Sequence, residues 1–330
     1  GIDGLTAKPL GPWFRAEGTI TFAGLRPAHL LQPGAAYCGL VAVADIGIPV
    51  QSQAFENSPM LWAGVMPHPG QEGYKHQRGH LKVVSGPASA TGAARLSAMA
   101  GLRAGAGLVT VMSPPGAMTV NASHLTAVML QVFDGAGDLE TAAKQAQVMV
   151  IGPAAGITPA TRANVEALLK SNARILLDAD ALTVFDSAPA SLFKRLRPHD
   201  IMTPHMGEFK RLFGDLAETG VNKIEVARKA AQTAGCVVLL KGADTVIAAP
   251  DGRAIVNTHA TPWLATAGAG DVLAGLIAGF MAQGMPTLEA AAMGAWVHGE
   301  AGRRVGAGLI SEDLERHVPD ILSALHGEIA

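Results

Sequence analysis

Val237-Val238-Leu239-Leu240 is followed at once by Lys241-Gly242-Ala243-Asp244-Thr245. Four consecutive apolar residues leave no polar face, so a strand built from them must be covered on both sides; a strand with one wet face would alternate. The Gly-containing turn then ends it. The same pattern recurs outward along the chain. Apolar strand candidates lie at 81–84, 108–112, 148–151, 175–177 and 201–203, and Ala-rich helical stretches lie at 93–104, 159–169 and 222–234. Continuous apolar strands separated by helices predict an α/β fold: a mainly parallel central sheet with helices on both faces. Beyond residue 244 the rhythm changes. Residues 245–248 and 254–257 flank Pro250-Asp251-Gly252-Arg253, a hairpin signal, and helices are expected over 271–283, 287–305 and 311–325.

Composition agrees with a large buried core. Of 330 residues, 49% are hydrophobic and 16% charged, while aromatics are sparse and Gly abundant. A net charge of −2 predicts no basic nucleic-acid footprint, and a small anionic ligand needs no global charge. Cys38 and Cys236 are far apart and have no zinc spacing; Cys236, inside an apolar run, reads as a small buried hydrophobe. The longest apolar stretch, around 272–281, is shorter than the ~20 residues that cross a bilayer. The expected location is the cytoplasm, with no membrane partner. The chain opens on Gly1 and reads as trimmed, so that a targeting signal would lie outside it.

The organisation is expected to change along the chain. Residues 1–50 carry two strand-like segments, at 19–22 and 40–44, without a long amphipathic helix, and read as the tail of a larger unit. Residues 51–70 read as a linker. Lys75-His76-Gln77-Arg78-Gly79-His80 is a basic Gly-containing loop, and residues 71–330 form the α/β domain.

Chemistry concentrates in turns that follow strands. In Thr266-Ala267-Gly268-Ala269-Gly270-Asp271-Val272-Leu273-Ala274-Gly275, two glycines open an apolar helix. Such a helix start offers free N–H groups to an anion. Asp271 beside them would repel a phosphate unless it orients or deprotonates an attacking hydroxyl; alternatively it caps the helix. The turn is neither a P-loop nor a dinucleotide fingerprint. Lys241 and Gly242 could receive a nucleotide, or form a plain turn. In Thr203-Pro204-His205-Met206-Gly207-Glu208, His205 could stand beside a bulky ligand, and Glu208 could instead serve the helix dipole. Asp178 and Asp180, in Leu177-Asp178-Ala179-Asp180-Ala181-Leu182, could hold Mg²⁺, meet a substrate amide or cap a helix. Ser85-Gly86-Pro87-Ala88-Ser89-Ala90-Thr91-Gly92-Ala93-Ala94 and Gly152-Pro153-Ala154-Ala155-Gly156 are further small-residue turns. Each is weak alone. They gain weight together, because the carboxyl ends of one sheet's strands converge.

Over about residues 71–330, the order and spacing of Lys75–His80, Ala100-Gly101-Leu102-Arg103-Ala104-Gly105-Ala106-Gly107-Leu108-Val109, Leu177–Leu182, Thr203–Glu208, Lys241–Thr245 and Thr266–Gly275 resemble the ADP/ATP-dependent NAD(P)H-hydrate dehydratases of the ribokinase-like superfamily. Residues 1–50 are similar to the end of the NAD(P)H-hydrate epimerase domain that precedes the dehydratase in bifunctional bacterial proteins, through Gly1-Ile2-Asp3-Gly4-Leu5-Thr6 and Asp45-Ile46-Gly47-Ile48-Pro49. The Asp-x-Pro-Ser of that family is absent here, so epimerase activity is not expected. The resemblance implies a ribokinase-like fold and repair of hydrated NADH or NADPH. ADP, or ATP, would phosphorylate the ring hydroxyl with Mg²⁺ present, and phosphate would then leave. It implies that Asp271 activates the hydroxyl, that the amides of Gly268, Ala269 and Gly270 hold the phosphoryl group, and that Lys241, Gly242, Ala243, Asp244, Thr245 and Gly270 contact the nucleotide. Ala93, Gly152, His205 and Asp271 would line the hydrated-dinucleotide pocket, and the protein would be a homo-oligomer, a tetramer. A vitamin-precursor kinase and a binding module without catalysis are the competing readings. One departure stands out: Ala154 replaces a family glycine and loses the freedom to take a positive φ.

Overall fold

The computed structural model describes residues 1–68 and 74–329. Its frame is a ten-stranded sheet in the order β3-β12-β11-β10-β9-β8-β7-β4-β5-β6. The strands are β3 (Ala54–Glu56), β4 (His80–Val84), β5 (Leu108–Ser113), β6 (Met129–Val132), β7 (Val148–Ile151), β8 (Arg174–Leu177), β9 (Ile201–Met202), β10 (Val237–Leu240), β11 (Thr245–Ala248) and β12 (Ala254–Asn257). All neighbours are parallel except β10-β11 and β11-β12, the hairpin around Pro250-Asp251-Gly252-Arg253.

The period-two geometry of a strand sends alternate residues to opposite faces, and the sheet's two cores divide on that rule. Leu81 and Val83 of β4, Val148 and Val150 of β7, and Val237 and Leu239 of β10 enter one core, together with the helices Ala269–Ala282, Thr287–Val305 and Ser311–Ile329. Their alternates Val84, Met149, Ile151, Val238 and Leu240 enter the other, with the helices Ala136–Ala143, Pro159–Leu168 and Lys223–Ala234. On the first face the Gly92–Arg103 and Ala269–Ala282 helices meet backbone to backbone. A Cβ on Gly275 would lie 2.2 Å from the Ser97 carbonyl oxygen, and one on Gly279 2.6 Å from that of Gly101.

The chain enters the large parallel part of the sheet at β4, builds β5 and β6 to one side, then returns to the other side of β4 for β7 to β10. Reversal of direction leaves a crevice at the carboxyl ends of β4 and β7, the place where open α/β sheets bind ligands. Lys75–Arg78 and Gly79 sit at the opposite edge, before β4. There the Arg78 carbonyl accepts the Gly107 N–H at 3.1 Å, so this basic motif supports the fold away from the crevice.

Within the stretch expected as a linker, Ala54–Glu56 and Trp62 pack with the α/β domain. β3 pairs in parallel with β12, and Trp62 is fully buried, edge-on to Trp296 with ring centroids 6.1 Å apart. Three residues are too short for a strand period to show in sequence. The expected boundary at 70 and 71 lies outside the described residues. Within the N-terminal unit, β1 (Gly18–Phe22) and β2 (Leu40–Ala44) pair in parallel as a separate two-stranded sheet, with the short helices Pro27–Leu30 and Ala35–Cys38 between them. Ala7, Ala28 and Leu31 of this unit are buried in the second core. Among the described residues no helix is long and apolar enough to cross a membrane. Cys236 is buried and unpaired, as its apolar surroundings predict.

Candidate functional site

The Ala269–Ala282 helix begins on Gly268, whose φ of 85° is left-handed, a conformation that a Cβ makes costly. A side chain there would also press on Leu96 and Ser311. At this helix start the Ala269 N–H reaches the Thr266 carbonyl at 3.4 Å, and the Asp271 and Val272 N–H groups reach the Gly268 carbonyl at 3.0 and 3.1 Å. Asp271 stands among them, half-buried, with its backbone oxygen held by the Ser97 hydroxyl at 2.7 Å. Burial first, and then the neighbouring Asp178 carboxylate, push the Asp271 carboxyl up to about 6; Lys241 opposes the rise. The opposition is weak for a visible reason. The Lys241 ammonium is 2.7 Å from Asp178 Oδ1 and is committed to that buried carboxylate.

A cleft of about 560 Å³ opens beside this cluster. Lys241, Gly242, Ala243, Thr245, Ala269 and Gly270 line it, so six of the residues expected to meet a nucleotide share one wall system. Gly268 and Asp244 do not line it. Asp244 turns away, pairing with Lys223 at 2.7 Å and accepting the Gln32 N–H at 2.9 Å. The opposite wall escapes sequence reasoning: the loop after β12, including Thr258, Pro262 and Leu264, and His298 from the Thr287–Val305 helix. His298 is pushed down to about 4 by burial, and its Nε2 has no hydrogen-bond partner. A single His in an apolar helix carried no signal distinguishing it from a core residue.

A second cleft, of about 670 Å³, lies at the crevice between β4 and β7. Ser85, Gly86, Phe133, Ala154, Gly156 and Asp180 are among its walls. Gly152 is a glycine because the Asp178 carbonyl oxygen would stand 1.7 Å from any Cβ there. That contact joins the clefts. Gly152 belongs to the turn of the second, and Asp178 holds the lysine of the first. Asp180 serves the second side, accepting the Gly156 N–H at 2.8 Å. Ala179, at φ 47°, separates the two acids.

Ala154 takes φ 55° although it is an alanine. The replaced glycine therefore did not change the turn; the left-handed backbone is kept at a strain of about 1 kcal/mol. Ala154→Gly is expected to raise unfolding stability by about 0.5–1 kcal/mol, less than the strain because glycine gains entropy in the unfolded chain. A denaturant titration checks this.

His205 and Glu208 form a reciprocal cap on the helix Met206–Phe213. His205 Nδ1 accepts the Gly207 and Glu208 N–H groups at 2.9 and 3.2 Å, and Glu208 Oε2 accepts the His205 N–H at 2.8 Å. Glu208 is thereby buried with its donor in place, whereas the His205 ring stays exposed. The turn is tied to the first cleft through the Lys241 N–H, which the Pro204 carbonyl accepts at 2.9 Å. None of the residues expected to line the dinucleotide pocket, Ala93 in the first turn of the Gly92–Arg103 helix, Gly152, His205 and Asp271, is among the residues lining either cleft.

Residues 81–321 match the family model described as NAD(P)H-hydrate dehydratase. The chain belongs to that family. It is 36% identical over 353 residues to a bifunctional NAD(P)H-hydrate repair enzyme of Moorella thermoacetica, a match covering all of this chain and 66% of that protein. It is 37% identical over 281 residues to an ADP-dependent (S)-NAD(P)H-hydrate dehydratase of Xanthomonas campestris, covering 80% of this chain and 94% of that one. The chain thus spans about two thirds of the bifunctional relative's length. Among solved structures, a ribokinase-like superfamily protein of Enterococcus faecalis aligns with TM-score 0.74 at 24% identity, covering 84% of this chain and 98% of that one. An ADP/ATP-dependent NAD(P)H-hydrate dehydratase of Bacillus subtilis, co-crystallised with ATP/Mg2+, aligns with TM-score 0.70 at 24% identity, covering 82% and 98%. At that identity they show the fold, which is ribokinase-like in this dehydratase family member as well.

Proposed function

We propose that this chain restores hydrated NADH and NADPH, with ADP or ATP as the phosphoryl donor. The first cleft takes the nucleotide, with its terminal phosphate at the amides of the Gly268-Ala269-Gly270 turn. The second takes the hydrated dinucleotide. Asp271 removes the proton from the ring hydroxyl, whose oxygen attacks the terminal phosphorus, and the shortened nucleotide leaves. The C–O bond of the new ester then breaks as phosphate departs and a ring proton is lost, which restores the double bond. The observation that carries this reading is the position of Asp271. A half-buried carboxyl, raised to about 6, stands at the helix start beside Asp178 and Lys241, where a mere cap gains nothing from being desolvated. Gly152, Ala93 and His205 are proposed for the dinucleotide side, where Asp180 lines the second cleft.

Among the described residues no group of three His, Cys, Asp or Glu side chains is placed to hold a metal. Mg²⁺ arriving with the nucleotide would therefore be held chiefly by phosphate oxygens, where it neutralises charge. Residues 1–50 are proposed to be the tail of an epimerase domain. Their paired strands leave Ile20, Phe22, Leu40 and Val43 exposed, as the margin of a larger sheet would.

The test supplies hydrated NADH with ADP or ATP and Mg²⁺ and follows reduced-nicotinamide absorbance. Recovery with either nucleotide supports the proposal. No recovery with both rejects it, and a stable phosphoester would identify a kinase instead. Because the base must be ionised, kcat/KM is expected to rise with pH through about 6 and level off above it. A profile flat across that range would remove Asp271 from the role.

A further inference from the structure

We infer that the N-terminal unit is part of the nucleotide site: Gln32 completes the wall of the first cleft and sets nucleotide affinity. The inference rests on the reading of that cleft as the nucleotide's. Gln32 is 209 positions before Lys241 in sequence, yet both line the cleft. Its backbone N–H reaches Asp244 Oδ2 at 2.9 Å. The other carboxylate oxygen of Asp244 accepts from the Lys223 ammonium at 2.7 Å, and Lys223 also reaches the Asp244 backbone carbonyl at 2.9 Å. Asp244 is nearly inaccessible, so both of its oxygens are spent on holding the Lys241–Thr245 turn between two elements. One is the Lys223–Ala234 helix; the other is the N-terminal unit.

That unit is firmly docked. The Asn222 side-chain amide donates to the Leu5 carbonyl at 2.9 Å, and Ala7, Ala28 and Leu31 are buried in the domain's second core. A smaller cavity, of about 330 Å³, runs between the unit and the domain. Gln32, Ala243 and Thr258 border both this cavity and the first cleft, so the two spaces adjoin at Gln32. The Gln32 side chain is exposed there and neutral. Its amide offers a donor and an acceptor to the sugar or base of an adenine nucleotide, and neither role requires a charge beside the phosphates.

The consequence is that a segment outside the strand-end and helix-start turns contributes to donor binding but not to proton transfer. The test uses the full chain. Gln32→Ala is expected to weaken ADP binding about 3- to 10-fold, measured by calorimetry without the second substrate, with the same rise in nucleotide KM. Turnover and the KM for hydrated NADH should stay within about twofold, a split that a general loss of structure would not give. Gln32→Glu keeps the shape and the backbone N–H but adds a negative charge, and should weaken ADP by more than about tenfold, with the loss reduced at high salt. Melting curves matching the parent confirm that both variants are folded. If the parent binds ADP and both variants bind it equally well, this inference is overturned while the nucleotide reading stands. If the parent binds neither ADP nor ATP, the nucleotide reading itself is wrong and takes the inference with it.

Discussion

Asp271→Asn is expected to lose turnover by roughly 10²–10⁴-fold while still binding ADP. The amide keeps the shape of the carboxylate and removes its basicity. The same variant should be more stable than the parent at neutral pH. The folded-state pKa of about 6 lies above the ordinary carboxylate value of 3.8, so the native state holds this proton more tightly than the unfolded chain does. The stability it contributes is present below about pH 4 and is lost as pH rises through about 6. At pH 7 the ionised carboxylate therefore costs the fold up to about 3 kcal/mol. Asn carries no such charge. Its advantage should appear in denaturant titrations at pH 7 and vanish near pH 4. The pairing of less activity with more stability separates the two readings of this residue, since Asn caps a helix about as well as Asp and a mere cap would leave turnover near the parent's. An Asp271→Asn protein that turns over normally would show that another group takes the proton.

Lys241→Met is the second large effect. It strands the Asp178 carboxylate, which is almost wholly buried and has Lys241 2.7 Å away as its ion-pair partner. Breaking one side of a buried pair costs about 3–5 kcal/mol, which for a chain of this length lowers the melting temperature by roughly 5 °C. Nucleotide KM should rise as well, because Lys241 lines the first cleft. The double variant Lys241→Met, Asp178→Asn should recover most of the stability and little of the binding. Recovery of both would assign the pair a purely structural role. An unchanged melting temperature in the single variant would show that water already compensates Asp178.

The strands were legible in the sequence for a physical reason. Buried parallel strands such as Val148–Ile151 and Val237–Leu240 are uninterrupted apolar runs closed by Gly turns, and both the composition and the punctuation survive in one dimension. The elements that escaped are those without that signature. Met129–Val132 is a half-exposed edge strand, Ala54–Glu56 has three residues, and Ala136–Ala143 is short and mixed. The site divides in the same way. Lys241, Gly270 and Asp271 announce themselves because a strand end or helix start needs those residue types. Gln32, Thr258 and His298 do not, because only the folded chain brings them to the cleft. Glu208 is ambiguous in one dimension, and in the fold its carboxylate accepts the His205 N–H.

The two helices that meet without intervening side chains, through Gly275 and Gly279, have a consequence for how this enzyme can diversify. No residue there can be enlarged to tilt the helix that carries Asp271, and none can be trimmed to loosen it. The Asp271 carboxyl is therefore held in place wherever this helix contact is kept. New donor or acceptor preferences must arise in the loops and in the N-terminal segment around it, and mutational libraries aimed at changing substrate range should be confined to those positions.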